Sequence, residues 1–488
     1  MASGNDPTNI PYIIAENGFY YVAYKEKVKV PEIVVSAKGV ANGLSEEYND
    51  GWDFGPDSYD PNSTASIPYT QTSGIQEALT YAGINPTMIF MRNGDYTINS
   101  PILYNSVYYV HISGESGGSG IGGIESFNRW HGVSIFIGSS FPQNEYMFTF
   151  ENTTSANTGR ISGVLIENIN LYGFLNSSNP QWANGIYVHQ PNEGVIKNIH
   201  MSGFNIAYYV DGQGSYGAVS HKDITIESSN TGIINNATDC VYENIRTFTM
   251  LGPAGIDLYS GTWINIMGDN NNNNSAGIQI GNDTTTDYGN AGTVIDNISL
   301  YPVMIEFYAG NVNANNLICG YQDTLIQFSG SNTTANSFYI NLRNVFQPYQ
   351  LFNNNGYSGS ATKINVYIHE GTLTGSLPLI GTMPSVVSYG FENIESVSST
   401  TNGTTAGTVI QDEPVYRSAY KKIIFNFHGY ENDTTTNQVI NFLYAFSTIA
   451  SVTANTTGLT VSASTSALTI TAPDATTTYT GVIVVEGY

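Results

Sequence analysis

The chain has 488 residues, which is long enough for two or three domains and a large buried core. Charged residues make up only 11% of it, so amide and hydroxyl groups must solvate most of its surface. The formal net charge of −24 argues against nucleic acid and anionic membranes as partners, because both bind clusters of Lys and Arg.

Membrane insertion and disulfide bonding are also not expected. No apolar run reaches the length of a membrane-spanning helix, and residues 1–6 do not open a secretory signal. Cys240 and Cys319 lie three or four of the repeats described below apart, which is too far for a disulfide bond. We therefore expect both to be buried apolar side chains.

Residues 1–45 differ in chemistry from the rest of the chain, because they hold four of its fifteen Lys and Arg residues: Lys25, Lys27, Lys29 and Lys38. The sequence predicts a docking or assembly segment here, through which other virion proteins could bind. An edge strand lying along the following domain is the alternative.

A short amphipathic helix follows. Ile75, Ala78, Leu79 and Ala82 have the spacing of one helix face, and Gly83 supplies a stop. Strands are predicted at residues 88–91 and 95–98, on either side of an Asn-Gly turn. A helix placed here would cover the open end of a sheet and so act as a cap.

Two short phrases return every 20 to 30 residues between residues 163 and 345, the period of a solenoid. The first contains Asn or Asp before an aliphatic residue: Asn168, Asn198, Asp223, Asn244, Asn265, Asn297, Asn316 and Asn344. The second is a Gly-Ile pair after a small residue, at Gly185, Gly232, Gly255 and Gly277. Each unit carries short β-rich runs without a helical period, which predicts one coil of a parallel β-helix over residues 46–350.

The coil phrase fades after residue 349, and residues 351–385 are interpreted as a linker or the last coils. Residues 386–488 contain short alternating strands separated by Thr, Asn and Gly turns, which is typical of a β-sandwich. The predicted fold class is therefore all-β: a parallel β-helix with an N-terminal capping helix and a C-terminal β-sandwich.

The order of the acidic loop, the segment from Gly74 to Leu79 and the segment from Gly94 to Ile102 resembles the start of pectate-lyase-like right-handed β-helix proteins. That group includes viral tailspikes and host-attachment fibres. The family commonly has adjacent aspartates before the helix and Gly-Thr-Tyr at the strand turn, where this chain has dispersed aspartates and Gly94-Asp95-Tyr96. The resemblance thus implies the fold and its cap. The polar, Tyr-rich composition also resembles surface proteins of archaeal viruses.

Aligning the coils on their Gly-Ile phrase gives one candidate site. Five side chains share a phase on the outer face: Tyr187, Asp257, Gln279, Glu306 and Gln327. Asp257 and Glu306 are two coils apart, about 9 to 10 Å, near the upper limit for the two carboxyl groups of inverting glycosidases. We expect them to be catalytic if the protein is an enzyme, and otherwise to bind sugar hydroxyls together with Gln279 and Gln327.

Aromatic side chains near this column could stack on sugar rings: Tyr187, Tyr208, Tyr209 and Tyr259. The alternative interpretation of the whole column is a solvated outer face without a ligand, since any outward column must be polar.

Several absences favour binding over catalysis. The polygalacturonase-type motifs of the superfamily are missing, and no Lys or Arg shares the phase of Asp257. His189 and His200 have no partner carboxylate nearby in sequence, and the acidic loop around Asp283 and Asp287 is better explained by turn chemistry than by calcium. No metal and no cofactor are predicted.

The sequence favours a spike or fibre protein of the virion surface, or an extracellular one, that attaches to host cells by recognising a glycan. Its expected partners are a cell-surface glycan or glycoprotein and further copies of itself in a homotrimer. The alternatives are a tailspike-type enzyme, either a glycoside hydrolase or a polysaccharide lyase, and a cellular surface-layer or adhesin protein.

Overall fold

The structure is a computed structural model. It describes residues 12–16, 19–23, 27–29, 32–37, 54–55, 70–82, 87–106, 108–116, 132–153, 161, 163–173, 183–212, 218–252, 254–258, 261–269, 276–281, 292–300, 303–319, 324–331, 337–346, 350–373, 384, 386–399, 406–412, 421–430, 438–441, 446–455, 458–471 and 479–488.

The chain divides into two compact units, Met1–Ile226 and Glu227–Tyr488, called the N-terminal unit and the C-terminal unit below. The elements that begin in the N-terminal unit are β1 Tyr12–Glu16, β2 Phe19–Ala23, β3 Lys27–Lys29, β4 Glu32–Val35, α1 Ile75–Ala82, β5 Thr87–Met91, β6 Gly94–Ile98, β7 Ile102–Asn105, β8 Val110–Gly114, β9 Val133–Ile137, β10 Tyr146–Glu151, β11 Val164–Tyr172, β12 Asn184–His189, β13 Glu193–Ser202, β14 Ile206–Asp211 and β15 Ala218–Glu227.

The C-terminal unit consists of strands throughout its described part. They are β16 Thr231–Asn236, β17 Val241–Phe248, β18 Ala254–Leu258, β19 Gly261–Asp269, β20 Ala276–Ile280, β21 Gly292–Leu300, β22 Val303–Phe307, β23 Asn311–Cys319, β24 Thr324–Ser329, β25 Ser337–Phe346, β26 Gln350–Asn355, β27 Lys363–Leu373, β28 Val387–Ser399, β29 Ala406–Asp412, β30 Lys421–Tyr430, β31 Gln438–Asn441, β32 Ile449–Ala454, β33 Thr460–Ala463, β34 Ala467–Thr471 and β35 Tyr479–Gly487.

Parallel pairing between strands that are not consecutive in sequence builds the N-terminal unit. One sheet contains β7, β10, β12 and β14 in that order, and in another β11 pairs with β8, β9 and β13. Alternate strands thus enter different sheets, as in the coils of a right-handed parallel β-helix, and the predicted fold class is confirmed. Strand β4, within the predicted docking segment, pairs in parallel with β5, whereas β1, β2 and β3 form an antiparallel sheet.

The C-terminal unit repeats the same plan. Strands β16, β18, β20, β22, β24 and β26 form one parallel sheet, and β17, β19, β21, β23, β25, β27 and β28 form another. The parallel stack therefore runs past residue 385 and includes β28, which lies inside the predicted sandwich segment. Antiparallel pairs follow, with β28, β29, β30, β35 and β32 in one sheet and β31, β34 and β33 in a second. The sandwich itself stays a prediction.

Aliphatic residues stacked in register fill the interior of the coils. Ile256, Ile278, Ile305 and Ile326 pair in sequence across four neighbouring strands, and each is fully buried. Burying such a side chain contributes about 1.5 to 3 kcal/mol, so the repeated isoleucine supplies much of the stability of the fold. Cys240 is a buried free thiol, as expected.

The repeated Asn or Asp has a conformational cause. All eight members of that phrase have a positive φ, between 51° and 61°, which few residues other than Gly, Asn and Asp adopt readily. The register skips this residue, since Glu243 and Ile245 on β17 pair with Ile264 and Ile266 on β19. Each coil therefore bends at this asparagine while pairing continues on both sides.

The amides at these bends also bond to one another from coil to coil. In the C-terminal unit, Nδ2 of Asn265 donates to Oδ1 of Asn244 at 3.0 Å, and Nδ2 of Asn297 donates to Oδ1 of Asn265 at 2.7 Å. In the N-terminal unit, Nδ2 of Asn198 donates to Oδ1 of Asn168 at 2.7 Å. The phrase thus specifies both the bend and a ladder of side-chain hydrogen bonds.

Replacing Asn265 should separate these two contributions. N265A loses both ladder bonds and forces alanine into the left-handed region, so we expect a loss of about 2 kcal/mol in unfolding free energy. N265G keeps the backbone conformation and loses only the ladder, so about 1 kcal/mol or less is expected. Denaturant unfolding of the two variants measures the difference, and equal losses would contradict the conformational explanation.

The Gly-Ile phrase reflects close packing between coils. A Cβ atom on Gly185 would lie 2.1 Å from the carbonyl oxygen of Ala207, and one on Gly232 would lie 2.5 Å from that of Gly255. Both distances are shorter than real Cβ contacts, so only glycine lets the backbones approach this closely. The glycine therefore fixes where each strand begins to face its neighbour.

The predicted capping helix is confirmed as α1, with Ile75, Ala78, Leu79 and Ala82 buried. It also satisfies part of a sheet edge. Nε2 of Gln76 donates to the Leu103 carbonyl at 3.0 Å, and the Leu103 amide donates to Oε1 of Gln76 at 2.7 Å. The Gln76 side chain thereby takes the place of a neighbouring strand at β7, which protects this edge from pairing with another chain.

Candidate functional site

The outer face of the C-terminal unit carries the predicted column. Asp257 pairs with Gln279, Gln279 with Glu306, Glu306 with Gln327, and Gln327 with Asn353. The predicted common phase is therefore confirmed for the four residues of this unit, and Asn353 is added to them. We call these five residues the outer column. One strand separates Asp257 from Glu306, so they lie two strand spacings apart, roughly 9 to 10 Å.

The outer column is less exposed than a solvated face would be. Glu306 is buried with 7% of its surface exposed, and the other four members are partly buried. Asn353 donates to Oε1 of Gln327 at 2.9 Å, and Nε2 of Gln327 donates to Oε1 of Glu306 at 3.2 Å. The amides thus hold the Glu306 carboxylate in place.

Asp257 has the most unusual electrostatics of the outer column. Burial, and secondarily the negative charge of Glu306, raise the pKa of Asp257 to about 7. A carboxyl group with this pKa is protonated about half of the time at neutral pH and can donate a proton there. Two carboxyl groups in environments that separate their roles are the arrangement with which glycosidases divide acid and base functions.

Tyrosines occupy the corresponding outer face in the N-terminal unit. Tyr187 on β12 pairs with Tyr209 on β14, and both are partly buried. The ring of Tyr187 lies 5.3 Å from that of Tyr209 and 5.2 Å from that of Tyr146, centroid to centroid. This row offers aromatic surface for an apolar sugar face. Tyr146 is absent from the sequence prediction because it does not share the phase of Tyr187.

Two other predicted tyrosines do not join this row. Tyr208 is fully buried, and its hydroxyl lies 2.7 Å from Nε2 of His221, so it is wrong as a residue that stacks on sugar rings. Strand alternation explains this, because adjacent residues point to opposite faces and Tyr209 is the outer one. Tyr259 lies outside the described residues.

His189 has a carboxylate partner that its local sequence does not show. Its Nδ1 lies 3.4 Å from Oδ2 of Asp211, with which it pairs in register. The Tyr187 hydroxyl donates to the same Asp211 oxygen at 3.1 Å and lies 3.1 Å from Nδ1 of His189. Burial and the Asp211 charge raise the pKa of Tyr187, so its phenol stays protonated. The expectation that His189 lacks such a partner is wrong.

A second charged cluster, in the N-terminal unit, was not predicted. Oε1 of Glu167 lies 2.9 Å from Nε2 of His111 and accepts a hydrogen bond from Ser113, while Oε2 lies 2.7 Å from Nζ of Lys197. Burial alone would raise the pKa of Glu167, but the hydrogen bonds and charges of His111 and Lys197 outweigh it and lower the pKa to about 2. The four groups satisfy one another, which is typical of a structural cluster.

The Glu167 cluster predicts a stability loss in acid. Because the folded-state pKa lies below the unfolded value of 4.5, the carboxylate stabilises the protein above pH 4.5 and loses this effect as the pH falls through about 2. E167Q should therefore lower the unfolding free energy by up to about 3 kcal/mol at pH 7 and by much less at pH 2. Denaturant unfolding at both pH values measures this, with E193Q on the exposed part of β13 as control.

No metal-ligand group stands out in the part of the chain that the structure describes, where three or more His, Cys, Asp or Glu side chains never converge suitably. None of the helices within those described ranges has the length and apolar character needed to cross a bilayer.

Comparison with known proteins gives similarity in structure only. No protein-family model matches the chain, and no curated protein matches it in sequence. The tailspike protein gp49 of Acinetobacter baumannii bacteriophage Fri1, a capsular polysaccharide depolymerase, aligns at 12% identity and a TM-score of 0.39 over 99% of this chain and 90% of its own. DFA-IIIase from Arthrobacter chlorophenolicus A6 aligns at 13% identity and a TM-score of 0.27, over 62% and 87%.

Proposed function

We propose that this protein is a virion-surface spike or fibre protein that attaches to host cells by binding a glycan. The observation that carries the proposal is the outer column, in which carboxylates and amides are partly buried and aligned along neighbouring coils. Such groups both donate to and accept from sugar hydroxyls, and fixed spacing along the coils suits a repeating polymer. The tyrosine row of the N-terminal unit supports the same function by offering ring faces.

Glycan cleavage is the second candidate, and the raised pKa of Asp257 favours it. In this reaction, protonated Asp257 gives its proton to the glycosidic oxygen as that bond breaks. Ionised Glu306 takes a proton from a water molecule, whose oxygen bonds to the anomeric carbon. A separation of roughly 9 to 10 Å corresponds to the inverting geometry, which leaves room for that water. Lyase chemistry is less favoured, because the strands of this column contain no Lys or Arg to act as a base.

Two measurements on the full chain test these candidates. A glycan array, followed by calorimetric titration of the glycans that bind, tests attachment. A reducing-sugar assay on the same glycans tests cleavage. Binding without new reducing ends supports an attachment protein, and release of reducing ends supports the enzyme. A folded protein that binds and cleaves no glycan would contradict both.

Assembly and location belong to the same proposal. We expect a homotrimer, and light scattering of the full chain would give its mass. Immunogold labelling of purified particles would test whether the protein lies on a virion surface, and labelling of host cells alone would instead favour a cellular surface-layer or adhesin protein.

A further inference from the structure

The strands of the outer column carry negative but no cationic side chains. None of β16, β18, β20, β22, β24 and β26 contains Lys or Arg. Two members of the column, Asp257 and Glu306, are carboxylic acids, and the remaining three are amides. A ligand on this face therefore meets hydrogen-bonding groups and negative charge only.

The cationic residues of the C-terminal unit lie elsewhere in its sequence: Arg246, Arg343, Lys363, Arg417, Lys421 and Lys422. Arg246, Arg343 and Lys363 belong to β17, β25 and β27, which form the other parallel sheet. The cations of the described coils are thus separated from the outer column by the fold itself. The same holds within the N-terminal unit, where β7, β10, β12 and β14 contain no Lys or Arg.

This distribution bears on the charge of the ligand. Proteins bind the carboxylates of uronic and sialic acids mainly with Arg and Lys, through charge-assisted hydrogen bonds. On the outer column such a carboxylate would instead approach Asp257 and Glu306, in surroundings already poor in water. Like charges brought together there repel strongly because little solvent screens them.

Neutral sugars suit the same groups. Their hydroxyls donate to carboxylate oxygens, and the amides of Gln279, Gln327 and Asn353 can bond to hydroxyl or acetamido groups. Hydroxyl and acetamido groups offer both donors and acceptors, so they can match a column that contains both. Charge, rather than ring shape, is the property by which this face selects among glycans.

We infer that the glycan recognised by the outer column is uncharged, built from neutral hexoses or N-acetylated hexosamines, and that polymers of uronic or sialic acid are excluded. This inference rests on the proposed function and adds the substrate class to it.

The test compares charged and uncharged glycans on the intact chain. We expect glycan-array binding to be confined to neutral and N-acetylated structures, with at least tenfold weaker binding to their carboxylated counterparts. Binding to carboxylated glycans as strong as, or stronger than, to neutral ones would overturn the inference and leave glycan attachment standing. Binding to no glycan at all would overturn both.

A designed cation gives a second, independent test. Q279K places a positive charge between Asp257 and Glu306, and should raise affinity for oligogalacturonate at low salt by at least tenfold over the wild type. The matched control N313K adds the same charge on an exposed position of β23, in the other sheet. An equal gain in both variants, or wild-type affinity for oligogalacturonate that Q279K does not change, would overturn the inference.

Discussion

The double variant D257N/E306Q is expected to weaken glycan binding by about 100-fold and to abolish any glycan cleavage. Each substitution keeps the size of the side chain but removes a charged acceptor, and a hydrogen bond to a charged group contributes about 1.5 to 3 kcal/mol. Two such losses correspond to at least two factors of ten in affinity. Calorimetric titration with a glycan that the wild type binds measures the first effect, and the reducing-sugar assay measures the second.

The single variants distinguish the two candidate functions. If the outer column only binds, D257N and E306Q should each raise Kd by about tenfold. If it also cleaves, each should lower kcat by 10² to 10⁴ with a smaller change in KM, because acid and base act mainly in the transition state. D239N, on an exposed turn of the same unit, is the matched control. Unchanged binding and cleavage in a folded double variant would remove the outer column as the site.

The fold could be predicted because its two repeated phrases have local causes. Asn265 and its equivalents occupy a backbone conformation that asparagine tolerates, and Gly185 and Gly232 stand where a Cβ atom has no room. Such constraints act within one coil, so they are visible in sequence even though the coils differ in length. From Ile305 to Ile326 is 21 residues, whereas from Ile278 to Ile305 is 27.

The phase of the outer column was predictable for the same reason. Strand alternation places the residue after each inward isoleucine on the outer face, so Asp257 and Glu306 fall in one line. Their burial was not predictable, because it depends on the surroundings of the column and not on its own strands. The raised pKa of Asp257 follows from that burial and was therefore also out of reach.

Contacts between coils account for the errors and omissions. His189 meets Asp211 and Glu167 meets His111 because their strands are neighbours in register, although 22 and 56 residues separate them. The varying coil lengths hide such pairs from any fixed repeat. The Tyr208 error differs, because alternation within β14 already requires one of two adjacent tyrosines to point inward.

The carboxyl group of Asp257 should make the protein less stable at neutral and alkaline pH than in weak acid. Its folded-state pKa of about 7 lies above the unfolded value of 3.8, so its stabilising effect is fully present below pH 3.8 and is lost as the pH rises through 7. D257N cannot ionise. It should therefore raise the unfolding free energy by up to about 4 kcal/mol at pH 8 and change it little at pH 4.

Denaturant midpoints of the wild type and D257N at pH 4 and pH 8 measure this effect, with D239N as the control that should not respond. E306Q should reproduce part of the gain at pH 8, because the charge of Glu306 contributes to the raised pKa of Asp257. A D257N variant that loses stability equally at both pH values would contradict the prediction and indicate an attractive partner for the carboxylate. The predicted gain would instead show that the chain keeps an acid that destabilises it, as residues retained for binding or catalysis commonly do.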